Sequence, residues 1–418
     1  MRWWSTTRLA LAAAALVAIV VTGTVVARTF TTKDRHQETD AWAQPSAAPP
    51  SASRTAPAPA PSPSPSSPDP AQRLEACVTS TVAGLSQQAR VGQVLMIGAQ
   101  VTNPPGLADT VRRYQLGGAF LAGRASPSAD TLRQGILSLQ RTAGAIPLQI
   151  AIDQEGGQVQ TLKGADFPLI PSAVQQGQWD DATLRSRTTD WAKRLVEAGV
   201  TLDLAPVADT VPAGTGDANP PIGAFDRQYG SSPDQVADKI HTVVSAAQAA
   251  GVLTTLKHFP GLGRVRANTD TSTQAVDNTT TTDDPYLKPF TSGIEAGSAA
   301  VMISSARYPK LDPNSVAAFS TPIITGLLRQ RLGYTGLVVS DDLGSAVAVG
   351  SVPVGERAVR FIQAGGDLVL SVKAPDAGPM SAALLAAAQA SPAFDARVTD
   401  AAARVIRSKY RAGLLTCR

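Results

Sequence analysis

Residues able to do chemistry recur along this chain at the ends of short apolar runs. Asp153-Gln154-Glu155-Gly156-Gly157 follows one run, Asp209 closes Leu204-Ala-Pro-Val-Ala-Asp209, and Lys257-His258 ends Gly251-Val-Leu-Thr-Thr-Leu256. Ser304-Ser305 and Ser340-Asp341-Asp342 follow two more. Beyond Lys257-His258 come Phe259-Pro260-Gly261-Leu262-Gly263 and a Thr/Asn-rich stretch with its own carboxylate, Asn268-Thr269-Asp270. One Asp after one strand is an ordinary helix cap or turn residue. Several runs that all end in charged or hydroxyl groups point instead to a site assembled from them. The set is rich in carboxylates and poor in alternatives. Of three histidines, His36 lies in the N-terminal tail and His241 in a helix-patterned stretch, which leaves His258. A histidine metal cluster is disfavoured, the two cysteines are too far apart for a metal knuckle, and a Ser-His-Asp triad lacks a nucleophile elbow. Two carboxyl groups flanking a glycosidic bond, one attacking and one moving a proton, make economical use of these groups and need no cofactor.

The elements that must position them follow from periodicity. Apolar, β-branched runs at Gln93–Ile97, Gly118–Ala122, Leu148–Ile152, Thr201–Ala205, Val252–Leu256, Ala300–Ile303, Gly336–Val339 and Asp367–Val372 read as buried strands. Between them lie amphipathic stretches such as Asp234–Ala250 and Thr321–Leu332. Eight strand-then-helix units predict an α/β fold, a (β/α)8 TIM-type barrel, whose active site sits at the C-terminal ends of the strands. A doubly wound open sheet is the alternative, but no G-x-G-x-x-G follows the first strand.

The barrel is expected over residues 71–418, behind two segments of other composition. Arg2 and Arg8 precede an uncharged run, Leu9–Ala27, about as long as the roughly 20 residues of a membrane span. Residues 1–43 therefore read as a signal anchor or a signal peptide, with Val25-Val26-Ala27 and Ala41-Trp42-Ala43 as candidate cleavage sites. Residues 44–70 are nearly all Pro, Ala and Ser and read as a disordered extended spacer. Both features predict an extracytoplasmic location, membrane-anchored or secreted to a cell wall. The two cysteines, Cys77 and Cys417, stand at the ends of the folded part and suggest one disulfide, since a closed barrel brings its ends together. The net charge is +4, about half of it before residue 71, which gives no reason to expect nucleic acid as a partner. A monomer is expected.

Four motifs carry a resemblance. Asp-Gln-Glu-Gly-Gly at 153–157, Leu-Ala-Pro-Val-Ala-Asp at 204–209, Lys-His-Phe-Pro-Gly at 257–261 and Val-Val-Ser-Asp-Asp-Leu at 338–343 resemble glycoside hydrolase family 3. Within it they are most similar to single-domain bacterial β-N-acetylglucosaminidases that trim peptidoglycan fragments. Phe319–Gly333 is similar as well, and the likeness covers roughly residues 85–412 without the second domain of many members. The resemblance implies a retaining exo-glycosidase, with a carbohydrate as its partner. It implies that Asp341 is the nucleophile, at the N-terminus of a helix over Leu343–Val349. Asp153, Arg227, Lys257 and His258 would hold the sugar, Asp209 would line the same face, and Asp342 would cap the helix.

The proton shuttle departs from that pattern. Related glucosaminidases carry an Asp-x-His pair after Lys-His-Phe-Pro-Gly; here the positions read Asn268-Thr269-Asp270. Leu262 replaces a usual His and Gln158 a usual Arg. Asp270 is the expected acid/base, its pKa raised by closure of the loop over the substrate. The alternatives are a route through Asp277 or water, or a barrel that binds glycan without efficient turnover. A β-glucosidase or xylosidase is a variant of the first reading. Residues 261–284 have few large apolar side chains, so a mobile loop is expected.

Overall fold

The computed structural model describes residues 69–417. Eight strands form the barrel: β1 (Leu95–Gln100), β2 (Gly118–Ala122), β3 (Gln149–Ile152), β4 (Leu202–Asp203), β5 (Leu253–Phe259), β6 (Ala300–Ile303), β7 (Leu337–Ser340) and β8 (Val369–Ser371). Their order is β7-β6-β5-β4-β3-β2-β1-β8, with every neighbouring pair parallel. A bridge between Val339 and Leu368 joins β7 to β8, so the sheet closes on itself. Strand order follows chain order with no reversal, which rules out the doubly wound alternative. Each expected apolar run holds a strand, and β5 runs past its expected end through Lys257-His258.

The strands read as continuous apolar runs because both faces are buried. Met96, Phe120, Leu202, Met302, Val339 and Leu370 point into the barrel, while Ile97, Leu121, Ile150, Val301 and Val338 pack outward against helices. Those helices show the complementary period. Pro233–Ala249 starts with Ser232 Oγ accepting from the Gln235 N–H (3.3 Å) and Pro233 in its first turn. It buries Val236, Ile240, Val243, Val244 and Ala247, the single stripe that a 3.6-residue repeat produces.

The N-terminal ends of the strands are sealed by helix Pro392–Arg411. Its Val405 packs with Met96, Leu202 and Leu253 inside the barrel, and the buried Lys409 Nζ donates to Gln93 Oε1 at 2.6 Å. Burial pulls the Lys409 ammonium down to about 7. Asp367, fully buried, accepts from Arg329, Arg397 and Arg404 on the same side. Helix Pro70–Ala83 packs on Pro392–Arg411 through Val78, Val82 and Ile406, with Arg407 paired to Glu75. The expected leader (1–43) and most of the spacer lie outside the described residues; the spacer's last residue, Pro70, instead opens this first helix, with Asp69 as its cap. Cys77 and Cys417 form a disulfide with Cα atoms 5.7 Å apart.

This clasp closes a loop of nearly the whole folded chain, so it restricts the unfolded state strongly. Replacing both residues (Cys77→Ser with Cys417→Ser) is expected to lower stability by about 2–5 kcal/mol. Because the clasp lies at the end of the barrel away from the polar strand exits, folded protein should keep its activity. Urea titrations of the two proteins with parallel activity assays check both parts.

Candidate active site

The C-terminal ends of the strands open into a cavity of about 420 Å³. Its walls include Asp153 after β3, Arg227 after β4, Lys257 and His258 on β5, Asp270 in the following loop, and Asp341 and Asp342 after β7. Six of the seven site residues expected from sequence therefore face one space. Consecutive strand residues ordinarily face opposite ways. Here both Lys257 and His258 line the cavity.

Charge organises its floor. Lys257 Nζ lies 2.6 Å from both Asp153 Oδ1 and Glu155 Oε1. Arg227 holds Glu155 in a two-pronged pair, Nη2 to Oε1 at 2.7 Å and Nε to Oε2 at 2.9 Å, and donates to the Pro221 carbonyl as well. Burial opposes ionisation of Glu155, but the two cations outweigh it and hold its carboxyl at about 2. Burial also opposes the charge on Lys257, yet Asp153 and Glu155 raise its pKa above the usual lysine value. Beneath them, burial pushes Asp203 up to about 7; the Gln154 N–H and Lys257 oppose this, while the charges of Asp153 and Glu155 add to it.

Asp209 differs from its expected role. It is fully buried behind His258 and does not line the cavity. Its Oδ2 lies 2.7 Å from His258 Nδ1, and its carboxylate accepts the backbone N–H groups of His258 and Leu262. A carboxylate at Nδ1 calls for the proton there, which leaves Nε2 as the acceptor facing Arg227 Nη2 at 3.4 Å. Asp209 thus fixes the histidine's orientation and tautomer instead of touching a sugar.

The surroundings of Asp341 also correct an expectation. No helix begins at Leu343; residues 343–345 form a turn and only Val347–Val349 make a short 3-10 turn. Asp341 is set by its N–H, which donates to the Ile303 carbonyl at the end of β6 (3.1 Å). Its Oδ1 accepts from the Asp342 N–H (2.9 Å). Asp342 caps a turn, not a helix, accepting from the N–H groups of Gly344 and Val372, and so ties the exits of β7 and β8 together.

The segment 261–284, expected to be mobile for want of large apolar side chains, is crossed by many polar contacts. Buried Asn219 donates through Nδ2 to the carbonyls of Leu262 (2.8 Å) and Val265 (2.7 Å), while its Oδ1 accepts from Ile222 and Gly223. Tyr308 Oη donates to the Gly261 carbonyl. Arg264 pairs with Asp277 and Asp284 and lies over the Tyr286 ring at 4.1 Å. Asp277 is occupied there and in capping Thr279 and Thr280, and does not line the cavity, so it offers no proton route. At the tip, Asn268 Oδ1 accepts from the Asp270 N–H, and the N–H groups of Val347 and Ala348 donate to the carbonyls of Asp270 and Thr269. The two loops that carry Asp270 and Asp341 are therefore joined. Asp270 opens to the cavity's solvent yet has protein around it. Partial desolvation, then the charge of Asp341, raise its pKa, with Arg227 among the groups that oppose the shift.

Sequence reasoning passed over Glu155 and Asp203 as site residues. A signal existed for Glu155: two residues from Asp153 on an extended stretch, it faces the same side and meets the same lysine.

Residues 87–408 match the glycosyl hydrolase family 3 N-terminal domain. The chain is 36% identical over 245 residues to a β-hexosaminidase of Xanthomonas oryzae, across 55% of this chain and 69% of that protein. It is 32% identical over 269 residues to a β-hexosaminidase of Nitrosomonas eutropha, across 62% and 75%. The crystal structure of a β-N-acetylhexosaminidase from Beutenbergia cavernae aligns with a TM-score of 0.77 at 42% identity, covering 78% of this chain and 99% of that one.

Glu155 is the keystone of the buried charges, so its neutral isostere should be severe. Glu155→Gln leaves Lys257 and Arg227 undercompensated and is expected to destabilise by about 3–5 kcal/mol in chemical denaturation. An effect below about 1 kcal/mol, the range of an exposed pair, would contradict the assignment.

Proposed function

Because the chain belongs to glycosyl hydrolase family 3, with nearly all of the described barrel inside the match, we propose that it removes terminal β-linked N-acetylglucosamine from peptidoglycan fragments by double displacement. Its relatives' names support a glycoside hydrolase of the β-N-acetylhexosaminidase type. The observation that carries the mechanism is the pair Asp341 and Asp270 facing one cavity, with Asp270 held protonated to higher pH partly by the charge of Asp341. A carboxyl whose surroundings favour its protonated form, facing a second carboxyl across one cavity, suits an acid working beside a nucleophile.

In the first step an Asp341 carboxylate oxygen attacks C1. The glycosidic C–O bond breaks, and Asp270 gives its proton to the departing oxygen. In the second step Asp270 takes a proton from water as that water's oxygen attacks C1, and the Asp341–C1 bond breaks. Asp153, Lys257, His258 and Arg227 hold the sugar hydroxyls: Lys257 and Arg227 donate, Asp153 accepts, and His258 is fixed in one tautomer by Asp209. Pairing before substrate arrives means that the donors are already oriented. The apolar run Leu9–Ala27 and the Cys77–Cys417 disulfide support an extracytoplasmic location.

An aryl N-acetyl-β-glucosaminide with a good leaving group needs little acid help, so it tests Asp341 nearly alone. Wild type should release at least one equivalent of phenol per protein and Asp341→Asn none; no release from this sugar or the glucoside by wild type would sink the enzyme reading and leave a glycan-binding barrel.

Asp270→Asn should spare that substrate's first step and slow a poor leaving group by about 10²–10⁴-fold. The pH dependence has a definite sign. A raised pKa keeps Asp270 protonated, hence active as an acid, to higher pH than a free aspartate. With poor leaving groups kcat/KM should fall as pH rises through that pKa, and this limb should vanish in Asp270→Asn. An unchanged limb in the variant would assign the proton to another group.

A further inference from the structure

Asp203 stands one layer behind the substrate cavity. Its neighbours in sequence, Leu202 and Leu204, point into the barrel, so Asp203 points outward by the alternation of a strand. There it lines a small cavity of about 40 Å³ between the barrel wall and the helices Asp181–Glu197 and Pro233–Ala249. Glu155 lines this small cavity too, and does not line the substrate cavity. The Glu155 carboxylate is therefore a partition: Lys257 and Arg227 hold its oxygens, and Asp203 lies behind it.

The charges in front of that partition already balance. Lys257 and Arg227 answer Asp153 and Glu155, which leaves no cation for a third carboxylate. Among the described residues Asp203 has no ion-pair partner, and the one hydrogen bond to its carboxyl comes from the Gln154 N–H at 3.1 Å. Burial, with the charges of Asp153 and Glu155 after β3, favours its neutral form; the Gln154 N–H and Lys257 on β5 favour the ion. Across the small cavity Tyr229 is kept neutral by burial and by the same acidic neighbours. The two helices and β5 present only uncharged side chains to it, among them Thr188, Val243 and Thr254.

We infer that Asp203 is a positioning residue: its neutral form leaves the Lys257–Glu155–Arg227 cluster set for the sugar, and its ionised form unsettles that cluster. The inference rests on the proposed glycosidase reading for the identity of the sugar. An ionised Asp203 adds a charge with no partner of its own. It draws Lys257 back toward the wall and repels Asp153 and Glu155, the two acceptors that Lys257 spans. The donors that meet the sugar hydroxyls then lose their preset positions. The change of form falls at about 7, so affinity for the sugar declines as pH rises through neutrality. By reciprocity, bound sugar holds the proton on Asp203.

The test titrates N-acetylglucosamine calorimetrically into the whole protein between about pH 5.5 and 8.5. Wild type should bind about fivefold more weakly at the upper end. Asp203→Asn fixes the neutral form and keeps an acceptor for the Gln154 N–H, so it should bind equally at both ends. Affinity that does not change with pH in wild type, or a change that persists in Asp203→Asn, overturns the assignment. A second arm needs no sugar and so separates this from failure of the glycosidase reading. In lysine-labelled protein the nitrogen resonance of the Lys257 ammonium, identified by its loss in Lys257→Arg, is followed by NMR over the same range. It should pass through a titration step in wild type and stay flat in Asp203→Asn. A step that the substitution removes supports the coupling even where N-acetylglucosamine does not bind. A flat resonance in wild type, or a step that remains in the variant, overturns it.

Discussion

The site depends on one shared cation. Lys257 sits between Asp153 and Glu155, and Arg227 closes the far side of Glu155, so two cations and two carboxylates are packed at the ends of β3 and β5 with little water. No pair among them is stable there by itself, because the desolvation of an isolated buried charge exceeds what one partner returns. Together they satisfy one another and fix the spacing of three barrel segments. That rigidity is the functional point: a sugar hydroxyl meets donors and acceptors whose positions are already determined.

Around this centre the positioning groups act at one remove. Asp209 orients His258 and, by accepting the Leu262 N–H, the start of the next loop. Asp342 binds the exits of β7 and β8, and Asp341 hangs from the carboxyl end of β6. Each carboxylate on this face has a different neighbourhood, and the neighbourhoods set their tasks: Glu155 permanently charged, Asp203 half-neutral near pH 7, Asp270 biased toward its protonated form.

The barrel was legible because parallel strands buried on both faces leave unbroken apolar runs, and because five consecutive ones end in polar residues. Asp341, Lys257, His258 and Asp153 stood out at those exits, and the family resemblance supplied their roles and added Arg227. What escaped depended on long-range polar contacts. Local composition made 261–284 look loose, since nothing within it announces that Asn219, some forty residues earlier, will bind its carbonyls. The run Leu343–Val349 had helical spacing, yet the backbone there is committed to Asp342 and to the neighbouring loop. Asp209 and Glu155 exchanged importance because burial, which decides between contact and support, is not written in a motif.

The manner in which the acid-bearing loop is held has an evolutionary consequence. Asn219, Tyr308, Val347 and Ala348 all grip it through carbonyl oxygens, at Leu262, Val265, Gly261, Asp270 and Thr269. Carbonyls are common to every amino acid. The scaffold therefore fixes the path of the chain while staying indifferent to the side chain displayed at its tip. A histidine and an aspartate at position 270 would be presented from the same place, so a lineage can exchange one proton carrier for another without rebuilding the barrel beneath it.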